Sequence, residues 1–296
     1  MSKTNSKTAK PVPQHLSGES CLRLTPGLYV VATPIGNLRD ITLRALDVLN
    51  GVDRVLAEDT RQTGKLFEVF DIKAKLTAYH DHNAAARIPQ VLGWLSEGQS
   101  VALVSDAGTP LVSDPGFKLV RAAIAAGHDV FPLPGASAVL AGLVKSGLPS
   151  DQFFFAGFLP AKPAARKREL ERMRTIPATL IFFETGPRIK ACLMDMAEVF
   201  GEREVVLTRE LTKRYEEARH GRFSDLIESV TSDAPRGELV LLIGPPAEDE
   251  NWDEARVKSA LTQIIPEAGV KRASAQVAEM AGWAKRDVYA LALSMK

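Results

Sequence analysis

Order along the chain begins where short aliphatic and β-branched runs start to alternate with stretches of helical spacing. Gly27-Leu-Tyr-Val-Val-Ala reads as a strand, and Ile41 to Gly51 repeats its apolar residues at helical intervals up to a glycine stop. The alternation continues with a strand over Val52–Ala57, a helix over Gly64–Phe70, a short strand near Leu76–Tyr79, a helix over Ala84–Glu97 and a strand over Val101–Ser105. Phe117–Ala126, closed by Gly127, predicts a further helix, and Val130–Leu133 a further strand. Strands and helices alternating at this spacing predict an α/β fold with a parallel, doubly wound sheet. The polar, Gly-rich turns fall at the carboxyl ends of the strands, where open sheets of this kind bind ligands.

The pattern changes after Pro149. Asp151–Phe158 is aromatic and Leu159–Arg174 strongly basic. Strands over Ala178–Glu184, Glu204–Arg209 and Leu239–Ile243, a helix over Ile189–Phe200 and a charged stretch to Arg222 predict a second α/β lobe with a mixed sheet. Pro245-Pro246 and the acidic Glu248-Asp249-Glu250 mark another boundary, after which the chain reads as wholly helical. The expected organisation is a disordered tail over residues 1–24, an N-terminal α/β lobe over 25–145, a linker near 144–150, a second α/β lobe over 150–246 and a helical module over 252–296.

Composition narrows the class. With 45% hydrophobic and 25% charged residues the chain buries a real core. Lys plus Arg number 37 against 36 Asp plus Glu, so any pull toward nucleic acid must come from local patches. Two cysteines, Cys21 and Cys192, exclude a disulfide framework and a Cys-based zinc site and suit a reducing compartment. Apolar runs such as Leu239–Ile243 fall far short of the roughly 20 residues of a membrane span. The N-terminal residues lack the apolar centre of a secretory signal, so the expectation is a cytoplasmic protein with no membrane partner.

The common nucleotide signatures are absent. No Gly-x-Gly-x-x-Gly follows a strand, Gly64-Lys65 lacks the rest of a P-loop, and there is no serine nucleophile elbow. The ligands of His80-Asp81-His82 are too close in one turn to converge on an ion, so no metal is expected. Four loops remain: Thr33-Pro34-Ile35-Gly36-Asn37, Glu58-Asp59-Thr60-Arg61, Ser105 to Pro110, and Leu133 to Ser137. Each alone is an ordinary turn. Together they outline one cleft at the carboxyl edge, where Gly and Pro bend the backbone sharply and bring it close to a ligand.

These residues resemble a known family. LYVVATPIGNLRDITLRAL, EDTR, VALVSDAGTPLVSDPGFKLV and the PLPGASA turn are similar to the tetrapyrrole methylase superfamily. More narrowly, they resemble its ribosomal RNA branch, the small-subunit rRNA cytidine 2′-O-ribose methyltransferases. The likeness continues through GLPSDQFFFAGFLP, ARKREL, LIFFETGPR, ELTKRYEE and GELVLLI, and covers roughly residues 27 to 245. It implies S-adenosylmethionine (SAM) bound in a deep cleft between two α/β lobes, and a homodimer. It also implies that Pro34, Ile35 and Gly36 form the first-strand loop beside the cofactor. Asp106, Ala107, Gly108 and Thr109 would flank its methionine and ribose parts. Ser137 and Ala138 would sit by the methionine or adenine end, and Phe183, Glu238 and Leu239 would reach in from the second lobe. One departure stands out: Phe183-Glu184-Thr185-Gly186-Pro187-Arg188 lacks the histidine that the family pattern carries before its arginine.

The implied reaction is methyl transfer to a ribose hydroxyl of a cytidine in small-subunit rRNA, presented by the 30S particle. Oxygen, methyl carbon and sulfur must be held in line, and a base that takes the hydroxyl proton helps. Glu58, Asp59, Asp106, His80 and His82 stand near the cleft mouth. Asp106 reads better as a cofactor contact, which leaves Glu58, Asp59 and His82 as catalytic candidates. Glu58 and Asp59 also read as a turn cluster paired with Arg61. For RNA, Lys162, Arg166, Lys167, Arg168 and Arg172, followed by Arg174, form a basic segment, and Arg61 joins them. The other reading of that segment is a solvated helix face. Phe153–Phe155 reads as a buried strand, or as a base-stacking element. Ser274 to Tyr289, after Lys271-Arg272, has the helix, Gly turn and basic helix start of a helix-turn-helix, which either contacts nucleic acid or packs as a cap. Two alternatives stay in view: a SAM-dependent C-methylase of a tetrapyrrole, which needs neither basic segment nor helical module, and a non-catalytic RNA-binding protein, which needs no converging loops.

Overall fold

The computed structural model describes residues 24–246, 252 and 254–295. The tail expected over residues 1–24, with Cys21, and the Glu248-Asp249-Glu250 run therefore lie outside the described residues, Leu24 excepted.

Five strands form the first sheet: β1 (Gly27–Val31), β2 (Arg54–Ala57), β3 (Leu76–Ala78), β4 (Ser100–Val104) and β5 (Val130–Leu133). Their order is β3-β2-β4-β1-β5 and every pairing is parallel. Helices cover both faces, which is why β4 is buried along its whole length. Because strand side chains alternate, Leu28 and Leu103 pack on α3 (Ala84–Ser96) and α4 (Phe117–Ala125), whereas Tyr29 and Val104 pack on α1 (Leu43–Gly51) and α2 (Thr60–Phe70).

α2 starts at Thr60 rather than Gly64. The Asp59 side chain accepts from Arg61 N–H and caps the helix, so Arg61 stands in its first turn and not in a loop. α5 (Ala138–Ser146), capped by Ser137, is an element that the sequence reading did not name. It occupies the first residues of the expected linker, and the chain turns at Gly147 in the left-handed region (φ 69°).

The second sheet contains β6 (Phe153–Phe158), β7 (Thr179–Thr185), β8 (Val205–Arg209), β9 (Glu217–Gly221) and β10 (Glu238–Ile243), in the order β6-β7-β10-β8-β9. Only β6–β7 is parallel, so the sheet is mixed as expected. One face carries α6 (Pro163–Met173), α7 (Gly186–Phe200) and α8 (Phe223–Ser232) over Leu170, Leu193 and Leu226. The other face packs Ile181, Val206 and Leu242 against Val139 and Leu143 of α5, with Ile35 and Val112 of the first lobe alongside. That shared apolar layer sets the two lobes against each other. The Phe153–Phe155 triplet is not the buried strand expected: β6 is an edge strand, and Phe153 and Phe154 are 44% and 42% exposed. β9 lies inside the stretch read only as charged. Its polar side chains suit an edge strand and pair across it, Arg209 with Glu217 at 2.6 Å.

Beyond residue 252, α9 (Glu254–Ala281) breaks at Gly269 (φ 72°, ψ 158°), and α10 (Lys285–Ser294) follows a turn at Gly282 (φ 65°). Val257, Leu261, Val277 and Val288 form a small core of their own. Among the described residues no helix is long and apolar enough to cross a membrane.

Candidate active site

The loops leaving β1, β4 and β5 meet at one edge of the parallel sheet. Thr33 and Gly108 form an isolated antiparallel bridge, and the Thr33 hydroxyl donates to the Ser105 carbonyl at 3.1 Å. Gly108 has φ 79°, a left-handed conformation that glycine adopts without strain. The Thr109 hydroxyl donates to the Ala136 carbonyl at 3.3 Å, tying the third loop to the second. The loop after β8 closes the edge from the second lobe: Thr212 Oγ1 accepts from Asn37 N–H at 3.1 Å. Lys213 then passes so near Gly36 that a Cβ there would lie 2.4 Å from Lys213 Cγ.

Between the lobes these loops enclose a cavity of about 290 Å³, near the lower end of the range of roughly 300–1,000 Å³ for small-molecule sites. Of the residues anticipated for the cofactor, Ile35, Asp106, Ala107, Gly108, Thr109, Ser137, Ala138, Phe183, Glu238 and Leu239 line it. Pro34 and Gly36 do not. Gly36 instead makes room for the crossing Lys213.

Sequence reasoning missed part of the lining. Ser113 and Asp114 come from the turn before α4, Phe158 from β6, Glu184 from β7, and Glu210 and Lys213 from the β8–β9 loop. A Ser-Asp-Pro-Gly turn carries no signal that its carboxylate faces a cavity rather than solvent. Among the described lining residues, Asp106, Asp114, Glu210 and Glu238 thus share one cation, Lys213, whose ammonium lies 3.1 Å from Glu210 and 3.6 Å from Glu238, whereas strand alternation sends the Glu184 side chain to the opposite face with Phe182. The Glu184 carboxylate is 2% exposed as a residue. Its Oε1 accepts from Thr185 N–H at 2.8 Å and lies 3.1 Å from Arg188 Nε, and the carboxylate borders the buried Cys192 thiol. Burial, and then the nearby charges of Glu58, Asp106 and Glu238, push the Asp114 carboxyl up to about 7; a contact with the Ser105 hydroxyl opposes them.

The three catalytic candidates stand outside the lining. Glu58 is half-buried, and desolvation with the charges of Asp106, Asp81 and Asp59 raises its pKa, partly offset by His80. Asp59 is held by Arg61, with Oδ2 2.7 Å from Nη2 and Oδ1 3.0 Å from Nε, and this pairing brings its carboxyl down to about 2. Its backbone N–H donates to Asp106 at 3.0 Å. His82 is exposed, with its ring centroid 6.0 Å from that of His80. Among the described residues no cluster of three His, Cys, Asp or Glu side chains has metal-binding geometry.

The basic segment forms α6 and divides in two. Arg166 is withdrawn from the surface: its residue is 3% exposed and its guanidinium lies 2.5 Å from Asp195. Lys167 is engaged by Glu198 at 2.5 Å and Asp195 at 3.6 Å. Arg172 pairs with Glu169 at 3.1 Å within the exposed face, while Lys162 and Arg168 stand exposed. Arg61, across the cleft mouth, exposes 86% of its side chain.

The sequence profile of the Tetrapyrrole (Corrin/Porphyrin) Methylases matches residues 27–227, and that of the RsmI C-terminal HTH domain matches residues 252–296. Ribosomal RNA small subunit methyltransferase I of Mesorhizobium japonicum is 48% identical over 275 residues, covering 92% of this chain and 93% of that protein. Its namesake from Escherichia coli O157:H7 is 46% identical over 275 residues, 91% of this chain and 95% of that one. Among solved structures, uroporphyrin-III C-methyltransferase from Thermus thermophilus, complexed with S-adenosylhomocysteine (SAH), superposes with a TM-score of 0.53 at 18% identity, over 74% of this chain and 97% of that one. At that identity the likeness is one of fold. With its profile spanning the first sheet and four of the five strands of the second, the chain belongs to the tetrapyrrole (corrin/porphyrin) methylase family and is a SAM-dependent methyltransferase.

Proposed function

We propose that the protein methylates the 2′-hydroxyl of a cytidine ribose in small-subunit ribosomal RNA, acting in the cytoplasm as a homodimer on the 30S particle. One observation carries the cofactor half of this reading: the interlobe cavity joins apolar walls to four carboxylates and one ammonium. SAM suits that lining, because its adenine and thioether carbons are apolar while its sulfonium and α-amino group give it a net positive charge. SAM supplies, when bound, a methyl group made electrophilic by the positively charged sulfur.

The chain's own residues do the rest. Ile35, Asp106 to Thr109, Ser137, Ala138, Phe183, Glu238 and Leu239 hold the cofactor, with Pro34 and Gly36 shaping the loop behind them. Glu58, Asp59 and His82 line the approach of the ribose at the rim. Arg61, Lys162, Lys167, Arg168 and Arg172 meet phosphates; Arg166 has no part in this, being committed to Asp195. The exposed Lys271, Arg272, Lys285 and Arg286 of the helical module add further cations for phosphate contacts. The RNA half of the reading draws on the relatives at 46% and 48% identity over nine-tenths of the chain. Exposed apolar side chains of α4 and α5, Ile124 at 61% and Val144 at 85%, offer surface for a second copy to cover.

The deciding experiment incubates the protein with methyl-labelled SAM and unmodified small ribosomal subunits, then digests the RNA and weighs the nucleosides. Label recovered in 2′-O-methylcytidine supports the reading. Label in another nucleoside overturns the cytidine assignment. No label in RNA, with SAM binding intact, overturns the RNA substrate and turns the search toward tetrapyrroles.

A further inference from the structure

We propose that Asp114, which the sequence reading did not single out, is the group that takes the proton from the ribose hydroxyl. The inference rests on the 2′-O-methyl transfer reading above. The three rim candidates are poorly suited to this role. The Asp59 carboxylate is spent on the Arg61 guanidinium and its own helix terminus. His82 and Glu58 do not line the cavity. Asp106 lines it but accepts from the Asp59 backbone.

Asp114 lines the cavity where the lobes close. The preceding residues, Leu111 (φ 74°) and Ser113 (φ 65°), hold left-handed conformations that non-glycine side chains rarely adopt. From the second lobe, β6 approaches so closely that a Cβ on Gly157 would stand 3.1 Å from Ser113 Oγ. Next to Gly157, Phe158 lines the cavity with half its surface exposed. A carboxylate is thus presented on a strained turn, at the seam, beside an open aromatic face.

The charged groups around it come from every element that borders the seam. Glu58 follows β2, Asp106 follows β4 and Glu238 opens β10, and all three repel a charge on Asp114. Glu210 and Lys213 complete the charged lining. A contact with the Ser105 hydroxyl acts in the opposite direction. Such surroundings make the carboxylate a stronger proton acceptor than an ordinary aspartate, while it is still ionised at slightly alkaline pH.

The step balances. The ribose oxygen forms a bond to the methyl carbon, the methyl–sulfur bond breaks with its electron pair returning to sulfur, and the hydroxyl proton passes to Asp114. Asp114 then releases that proton to solvent through the open mouth of the cleft.

The test uses the full-length protein and single-turnover transfer to unmethylated 30S subunits at saturating SAM, with Asp114→Asn and Asp114→Glu. For the unaltered protein the rate should climb with pH to a plateau, with its limb at or below about 7 because the sulfonium favours the ionised carboxylate. Asp114→Asn should lose at least a hundredfold in rate, roughly the contribution of a positioned base, and its pH dependence should vanish. Asp114→Glu should recover part of the rate with the pH limb displaced. SAH binding, measured separately by calorimetry, should stay within about threefold in both variants, reporting an intact cleft. An Asp114→Asn protein within tenfold of the unaltered rate overturns the assignment. So does a loss of rate matched by an equal loss of SAH affinity in both variants. If the unaltered protein binds SAH but methylates no RNA, the functional reading itself fails, and that outcome is distinct from either.

Discussion

Thr33 and Gly108 exchange both backbone hydrogen bonds, Thr33 N–H to Gly108 O at 2.8 Å and Gly108 N–H to Thr33 O at 3.0 Å. This reciprocal pair ties the loop after β1 to the loop after β4, so the cleft floor is one unit rather than two flexible turns. It needs a residue at 108 that accepts φ 79° and leaves space for Ile35 Cγ2, which would lie 3.2 Å from an added Cβ.

Replacing Gly108 with Ala should therefore strain the bridge by about 1–2 kcal/mol and push Ile35 into the cavity. SAM affinity should fall by about tenfold, with thermal unfolding lowered by a few degrees at most. Calorimetric titration against the unaltered protein checks this, and equal affinity would show that the bridge can absorb the methyl group.

Arg166 and Arg168 are two residues apart on α6 yet make opposite predictions. Arg166→Ala leaves the half-buried Asp195 with Lys167 alone, 3.6 Å away, a loss below the roughly 3–5 kcal/mol of fully uncompensated buried pairs. Its effect should appear in denaturant unfolding. Charge reversal at the exposed Arg168 and Arg172 should leave stability within about 0.5 kcal/mol. It should raise the KM for 30S subunits and flatten the salt dependence of binding, with SAM affinity unchanged. If both sets of variants act through stability alone, the exposed face of α6 does not meet RNA.

Much of this architecture was legible because the first lobe writes each strand as an aliphatic run and each helix as a periodic one. The carboxyl-edge cleft followed from the turns between them, and Ile35, Asp106, Thr109 and Ser137 do come together in it. What failed had physical causes. Gly64 marked no helix start because the start was set upstream by the Asp59 cap. β9 escaped notice because an edge strand needs no apolar face, and Glu217 and Arg219 satisfy each other at 2.8 Å. Arg166 looked like its basic neighbours because helix phase alone does not reveal that an acid, Asp195, waits on α7. Asp114 and Lys213 were missed because each reaches the cavity through chain reversals with non-glycine residues at positive φ, Ser113 and Thr212 among them.

Cys192 offers a clean probe of global opening. Burial pushes its thiol up to about 12, with Glu184 adding to the shift, so almost no thiolate exists at neutral pH. In a Cys21→Ser background, a thiol reagent at pH 8 should leave the native protein unlabelled for hours and label it stoichiometrically in denaturant. Rapid labelling of the folded protein would mean that α7 opens locally.

The pH dependence of stability should carry the mark of Asp114. Its folded-state pKa is raised from 3.8 to about 7, so the folded protein holds that proton more tightly than the unfolded chain does. Its contribution is thus fully present below the unfolded value and is lost as pH rises through about 7. Glu58 shifts in the same direction and adds to the trend. The ligand-free protein should accordingly melt at a lower temperature at pH 8 than at pH 5.5, all other groups being equal. Asp114→Asn should raise the melting temperature at pH 8, raise it less at pH 5.5, where only part of the loss above 3.8 has accrued, and flatten the difference between them. SAM works against this loss: its positive sulfonium favours the ionised carboxylate, so SAM affinity should increase from pH 6 to pH 8, and that of neutral-sulfur SAH should increase less. Melting curves and titrations at the two pH values separate these effects. An Asp114→Asn protein with an unaltered pH slope would place the titrating group elsewhere in the cleft.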